Sequence, residues 1–334
     1  SDEFYMAEQN YYDETEPKLY NLLNGYKKAL YESPLRSFME EKIGRVAFAT
    51  MDNAIKSMDE SVIGLMQEEN ALTTEYNKLI ASARIPFDGQ ELNLSLMRPY
   101  LTDSDRSVRR RAWKAYSDYF LTVSDKLDEI YDKLVKNRTA QAKAMGCDNF
   151  VELGYRRMNR NSYGRQDVEN FRRQVKEVFV PFAEKVHEIR RKRLSLDKLS
   201  YIDNEVYFLN GNPAPFGTPE EILKSGQEMY TELSPETKEF FDFMMENELF
   251  DVFGRKTKKQ GGYMTYLYNY GSPFIFANFN GTSGDVDVIT HECGHAFQGF
   301  VSGKDPVIEH ADITMETAEI HSMSMEFFTN PWME

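Results

Sequence analysis

The run His291-Glu292-Cys293-Gly294-His295 constrains this chain more than any other feature. On a helix, residues four apart project from one face, so both imidazoles can reach a single metal ion. Glu292 then lies beside that ion, where it can take a proton from water instead of occupying a coordination position. The flanks support a helix. Thr282-Ser283-Gly284-Asp285 reads as a capping box, and Val286, Val288 and Ile289 supply apolar packing. Ala296, Phe297, Phe300 and Val301 continue the apolar pattern until Gly303 ends it. A charged Glu-His pair within a largely apolar helix is costly unless something pairs with it, and a metal does so.

Catalytic zinc usually takes three protein ligands and keeps one position open for water. The third ligand is expected downstream, among Glu309, His310, Asp312, Glu316, Glu319, His321 and Glu326. From about 314 to 329 the chain reads as a second helix carrying Met315, Ala318, Met323, Met325, Phe327 and Phe328, closed by Asn330-Pro331. Steps of three and seven residues place Glu316, Glu319 and Glu326 on roughly one face. Helical geometry alone does not separate Glu316 from Glu319. His321 points largely away from Glu319 and reads as a packed or supporting histidine.

The motif His291-Glu292-Cys293-Gly294-His295, followed by Glu319-Ile320-His321-Ser322-Met323-Ser324-Met325-Glu326, resembles the zinc site of the oligoendopeptidase F and thimet oligopeptidase family. That family has H-E-x-G-H and then a helix reading E-x-x-S-x-x-x-E, and its first helix Glu is the third zinc ligand, which maps onto Glu319. Phe250-Asp251-Val252 through Lys259-Gln260-Gly261-Gly262-Tyr263 is similar to the family's F-D segment and glycine-rich strand. Leu199-Ser200-Tyr201-Ile202-Asp203 fits the oligoendopeptidase F branch. The resemblance covers roughly residues 100 to 330. It implies one Zn²⁺ per chain on His291, His295 and Glu319, with Glu292 as the catalytic base and Glu316 or Glu326 orienting a ligand histidine. It also implies a mainly α, zincin-like body whose channel admits oligopeptides and excludes folded proteins. The expected activity is that of a zinc-dependent endopeptidase, with another H-E-x-x-H hydrolase such as an aminopeptidase, or a helical interaction protein with a vestigial site, as alternatives. Two departures stand out. Gln298 occupies the place where the family often carries a further His, and the Lys258-Lys259 pair matches the family's Gly-Lys only loosely. The family's later helices, which supply Tyr and His groups to the substrate carbonyl, would lie beyond Glu334. The chain, which begins at Ser1 without a Met, is therefore expected to be a piece of a longer protein, with that C-terminal segment as its partner.

Composition limits the alternatives. The 334 residues, 41% hydrophobic and 28% charged, suit a globular chain with a sizeable core. Forty Lys and Arg against 54 Asp and Glu give a net charge of −14, which argues against nucleic acid or an anionic membrane surface as partner. Cys147 and Cys293 make no disulfide framework, so reduced thiols in a cytoplasmic setting are expected. No apolar run approaches a membrane span.

Helices are expected over most of the chain. Residues 35–82 carry Phe38, Met39, Ile43, Val46, Met51, Ile55, Val62 and Met66 at helical spacing, and Ile85-Pro86-Phe87-Asp88-Gly89 reads as a loop. A long helix begins near Ser104 and carries Trp113, Tyr116, Phe120, Leu127 and Leu134. Arg109, Arg110 and Arg111 on it read as a solvated face or an ion-pair network. Val168 through Ile189 form an amphipathic helix kinked at Pro181, with His187 as a structural residue. Asn210 through Pro215 is a loop, and Thr218-Pro219 and Ser234-Pro235 each open a helix. Between Gly261 and Asn280 the texture becomes strand-like, turning at Tyr270-Gly271-Ser272-Pro273. Gly261, Gly262 and Tyr263 are expected to begin an edge strand that pairs with an extended peptide. The domain reading is a helical region over 1–100, forming part of the channel wall, and a catalytic region over 101–334, incomplete at its C-terminus, or one continuous helical domain.

Overall fold

The computed structural model describes residues 2–311 and 313–333. Helices α1 (Glu3–Tyr31), α2 (Arg36–Ile43), α3 (Arg45–Ile55) and α4 (Ile63–Ala81) come first. Strands β1 (Ile85–Phe87) and β2 (Gln90–Leu92) follow, then helices α5 (Arg98–Leu101), α6 (Arg106–Ala144), α7 (Phe150–Arg157) and α8 (Arg165–Gln174). After a π-helical stretch over Val175–Phe179 come α9 (Val180–Arg193), α10 (Pro219–Leu233) and α11 (Pro235–Glu246). Strands β3 (Phe250–Phe253), β4 (Tyr263–Leu267) and β5 (Ser272–Phe279) lead into α12 (Gly284–Ser302) and α13 (Met315–Thr329). The chain is mainly α with a small sheet, as the sequence implied.

Two compact units divide it: Ser1–Leu79 with Val123–Arg172, and Ile80–Thr122 with Arg173–Glu334. In the first unit Phe48, Met51, Val62, Ile130 and Leu153 are buried. Glu69 is buried among them, taking hydrogen bonds from Arg138 at 2.7 Å, Gln141 at 2.8 Å and Arg157 at 3.1 Å. Burial would raise its carboxyl, but these partners hold it below its ordinary range.

The second unit carries every element of the candidate site. Its core gathers Tyr230, Phe240, Phe241 and Met244 from α10 and α11 against Val252, Ile275, Ala277, Ile289, Cys293 and Ala296. The Tyr230 and Phe241 rings stack at 5.0 Å, and the Tyr230 hydroxyl donates to the Ile289 carbonyl at 3.1 Å, which ties α10 to the motif helix. The sheet has the order β3-β5-β4, with β3 parallel and β4 antiparallel to β5. That order leaves one side of β4 without a paired strand among the described residues.

Several local readings hold. A reciprocal capping box at Thr218 and Glu221 opens α10, and the Ser234 hydroxyl caps α11. Others differ. The stretch at Ile85 is a hairpin, not a loop: β1 pairs with β2 around Asp88 and Gly89, both at positive φ. For Arg109 the ion-pair reading holds, not the solvated face. Its side chain lies buried against Asp203 at 3.0 Å, and Arg106 reaches the same carboxylate at 2.8 Å. A π-helical stretch precedes Pro181, which has no N–H to continue the ladder. The apolar residues there, including Phe171, Val178, Phe182 and Ile189, are exposed.

Candidate active site

Helix α12 begins without the expected capping box, because no side chain at Ser283 caps it. Asp285 turns back instead and accepts the Asn280 N–H at 2.9 Å and the Gly281 N–H at 2.7 Å, fixing the turn between β5 and the helix. Burial raises the Asp285 carboxyl, and those two N–H groups pull it down. The helix then runs to Ser302, and Gly303 caps it.

Gly294 is required by packing. A Cβ there would stand 2.6 Å from the Ser322 Cα and 2.8 Å from the His321 carbonyl oxygen. The two backbones of α12 and α13 therefore meet directly, and α13 delivers its carboxylates to the histidines. Thr314 caps α13 by accepting the Thr317 N–H at 3.1 Å.

The ligand-type atoms of His291, His295 and Glu319 all lie within 4.8 Å of one another. Glu319 Oε2 is 3.3 Å from His291 Nε2 and 4.0 Å from His295 Nε2. His291 Nδ1 meets Glu326 Oε1 at 2.6 Å, so its outer nitrogen is engaged while Nε2 faces inward. Burial lowers the affinity of His295 for a proton, and the neighbouring His291 lowers it further. Glu316 lies half-buried one turn before Glu319, and among the described residues it is not in the cluster. His321 is also outside it, and Asp312 lies outside the described residues.

Glu292 is buried beside the cluster. Burial raises its carboxyl pKa; His291 and the Met264 backbone N–H oppose that, and Glu319 adds to it. Gly262 explains how β4 comes so close: a Cβ there would stand 3.4 Å from Glu292 Oε1 and 3.5 Å from the Phe276 carbonyl oxygen. Gly261 adopts φ +110°, open to glycine and strained for other residues. Tyr263 pairs with Phe276 across the ladder and stacks on its ring at 5.0 Å. Gly262 and Tyr263 line a cavity of about 510 Å³ with His291, Glu292, His295 and Glu319.

Sequence reasoning missed three supports. Ser322, fully buried, donates to Glu319 Oε2 at 3.0 Å, the oxygen that faces both histidines; the serine three residues after the glutamate was the available signal. Asn278 donates to the Lys259 and Gly261 carbonyls at 2.8 and 2.9 Å and fastens the glycine loop to β5. Lys258, buried, donates to the Asp251 and Phe253 carbonyls at 2.8 and 3.1 Å and clasps β3.

A motif helix and its successor thus converge on a His-His-carboxylate cluster, with a strand edge alongside. The chain belongs to peptidase family M3. The model of Peptidase family M3 matches residues 99–332, and that of the Peptidase M3 N-terminal domain matches residues 1–58. The chain is 23% identical over 326 residues to group B oligopeptidase PepB of Streptococcus agalactiae serotype III, covering 93% of this chain and 52% of that protein. It superposes with a TM-score of 0.98 on PZ peptidase A solved with an inhibitor, at 49% identity, covering 100% of this chain and 59% of the other. A protein assigned as an oligoendopeptidase F from Bacillus anthracis gives 0.97 at 45% identity, with 100% and 61% covered. The chain thus spans little more than half the length of these relatives.

Proposed function

We propose that this protein is a zinc-dependent endopeptidase that cleaves internal bonds of short oligopeptides. The observation that carries the reading is the convergence of His291 Nε2, His295 and Glu319 Oε2 beside the buried Glu292 carboxylate. Two imidazoles and one carboxylate are the donor set of a catalytic zinc that keeps a position open, and the chain's own residues fit that ion. His291, His295 and Glu319 would hold it. When bound, zinc lowers the pKa of water and polarises the scissile carbonyl.

Glu292 takes the proton from that water and returns it to the leaving amine. Burial serves this role, because a carboxyl with a raised proton affinity is a better acceptor than a solvated one. Glu326 holds the His291 ring in place through Nδ1, and Ser322 fixes the Glu319 carboxylate. The free side of β4, which begins at Tyr263 just after Gly261 and Gly262, holds the substrate extended by backbone hydrogen bonds. No helix among the described residues is long and apolar enough to cross a membrane. Cys147 and Cys293 are buried and unpaired, which supports a reducing, cytoplasmic setting.

The test is Glu292→Gln in a chain extended to the relatives' length. It should keep zinc and fold, and lose peptide turnover by about 10²–10⁴. Undiminished cleavage of a quenched fluorescent peptide would refute the assignment of Glu292.

A further inference from the structure

The face of α12 that carries the histidines continues past them. His291, His295, Gly299 and Gly303 follow one another every four residues, so the metal end of the face runs on into a pair of glycines. Tyr266 of β4 fills the notch. A Cβ on Gly299 would stand 3.2 Å from the Tyr266 ring, and one on Gly303 only 1.8 Å from its hydroxyl oxygen. The ring therefore rests on the helix as a wall. Its hydroxyl sits beside Gly303, eight residues beyond His295 and roughly 12 Å along the axis. That position suits a pocket wall and not a donor to the scissile carbonyl.

Ile313 and Met315 line the same cavity. Among the described residues, the carboxylates that line the cavity, Glu292 and Glu319, belong to the metal end. The polar pair in the outer part is already engaged, since Gln298 donates to the Ser302 hydroxyl at 2.8 Å. A charged side chain entering here would give up its hydration without an ion partner among the described lining residues. An apolar one would gain from every ångström squared it buries.

We propose that the groove beyond His295 is a side-chain subsite for a neutral, apolar residue of the bound peptide, with its depth set by Tyr266 seated on Gly299 and Gly303. The proposal rests on the peptidase reading. An extended peptide along β4 sends alternate side chains to one side, so a residue next to the scissile bond can enter. The described lining residues add no further carboxylate to Glu292 and Glu319 at the metal end, and the preference is for apolar over basic side chains.

Binding tests it without turnover. Blocked Gly-Gly-Xaa-Gly-Gly peptides, with Xaa as Ala, Leu, Phe, Trp, Asp or Lys, are titrated calorimetrically into zinc-loaded Glu292→Gln protein. Leu and Phe peptides should bind at least ~10-fold tighter than Ala, Asp and Lys, the scale of a few methylenes in an apolar pocket. Tyr266→Ala should shift the optimum towards Trp. Should that variant fold poorly, Gly299→Ala, which pushes the ring into the pocket, should weaken Phe binding by about tenfold and spare Ala. Equal affinities across the series, a preference for Lys, or no binding at all would overturn the subsite. The same peptides offered to the wild-type chain extended to the relatives' length separate the two readings. Side-chain-selective binding without cleavage counts against the peptidase alone, and cleavage without selection counts against the subsite alone.

Discussion

Gly294 and Ser322 touch backbone to backbone: a Cβ on the glycine would lie 2.6 Å from the serine's Cα. This contact sets the distance from α13 to the histidines, so the glycine of the motif serves ligand geometry through packing. Gly294→Ala should destabilise the fold by about 1–3 kcal/mol through overpacking. By pushing Glu319 away it should also weaken zinc binding by at least ~10-fold. Thermal melts of the metal-free chain and zinc titration measure the two effects separately. A destabilised variant with unaltered zinc affinity would uncouple the helix contact from the metal geometry.

The 2.6 Å contact between His291 Nδ1 and Glu326 predicts a graded effect. Glu326→Ala frees the ring to turn but removes no ligand, so zinc affinity should fall by about 10–100-fold and binding should persist. Competition with a chromophoric chelator gives the value. Complete loss of zinc would make Glu326 a ligand, and no change would leave His291 positioned by packing alone.

Asp203 predicts a pH dependence. Burial would raise its carboxyl, but Arg106, the Ser200 N–H and Arg109 together hold it far below the ordinary carboxylate range. A lowered folded-state pKa contributes stability that is present above the unfolded value of roughly 4 and is lost as pH falls through the folded one. Asp203→Asn should cost about 3–5 kcal/mol at pH 7, because Arg109 stays buried without its partner. Urea melts should show the gap between variant and wild type narrowing below about pH 4. A gap that is constant with pH would mean the loss is one of packing.

Helix α12, helix α13 and the strand before them were legible because each is local: a four-residue spacing, an apolar run closed by Asn330-Pro331, an alternating stretch between glycines. What was not legible depends on partners distant in sequence or on competition between near neighbours. The Arg109 run admits a solvated face or an ion-pair network because Asp203, which pairs with one of its members, lies 94 residues away. The capping box at Thr282 failed because Asp285 found better donors at Asn280 and Gly281 than at the helix start. The hairpin at Ile85 escaped because its strands are three residues long and one contains Pro86, although Asp88-Gly89 was its turn signal. The apolar stripe around Phe182 was legible as amphipathic, but periodicity does not tell what covers a face.

The central claim is that His291, His295 and Glu319 together hold one zinc ion. Elemental analysis of protein purified with zinc and dialysed against buffer tests it most directly, on the wild type and on Glu319→Ala and Glu316→Ala. The account predicts about one zinc per chain in the wild type and in Glu316→Ala, and severe loss in Glu319→Ala. Full occupancy in Glu319→Ala with loss in Glu316→Ala would contradict it, and would move the third ligand by one helical turn.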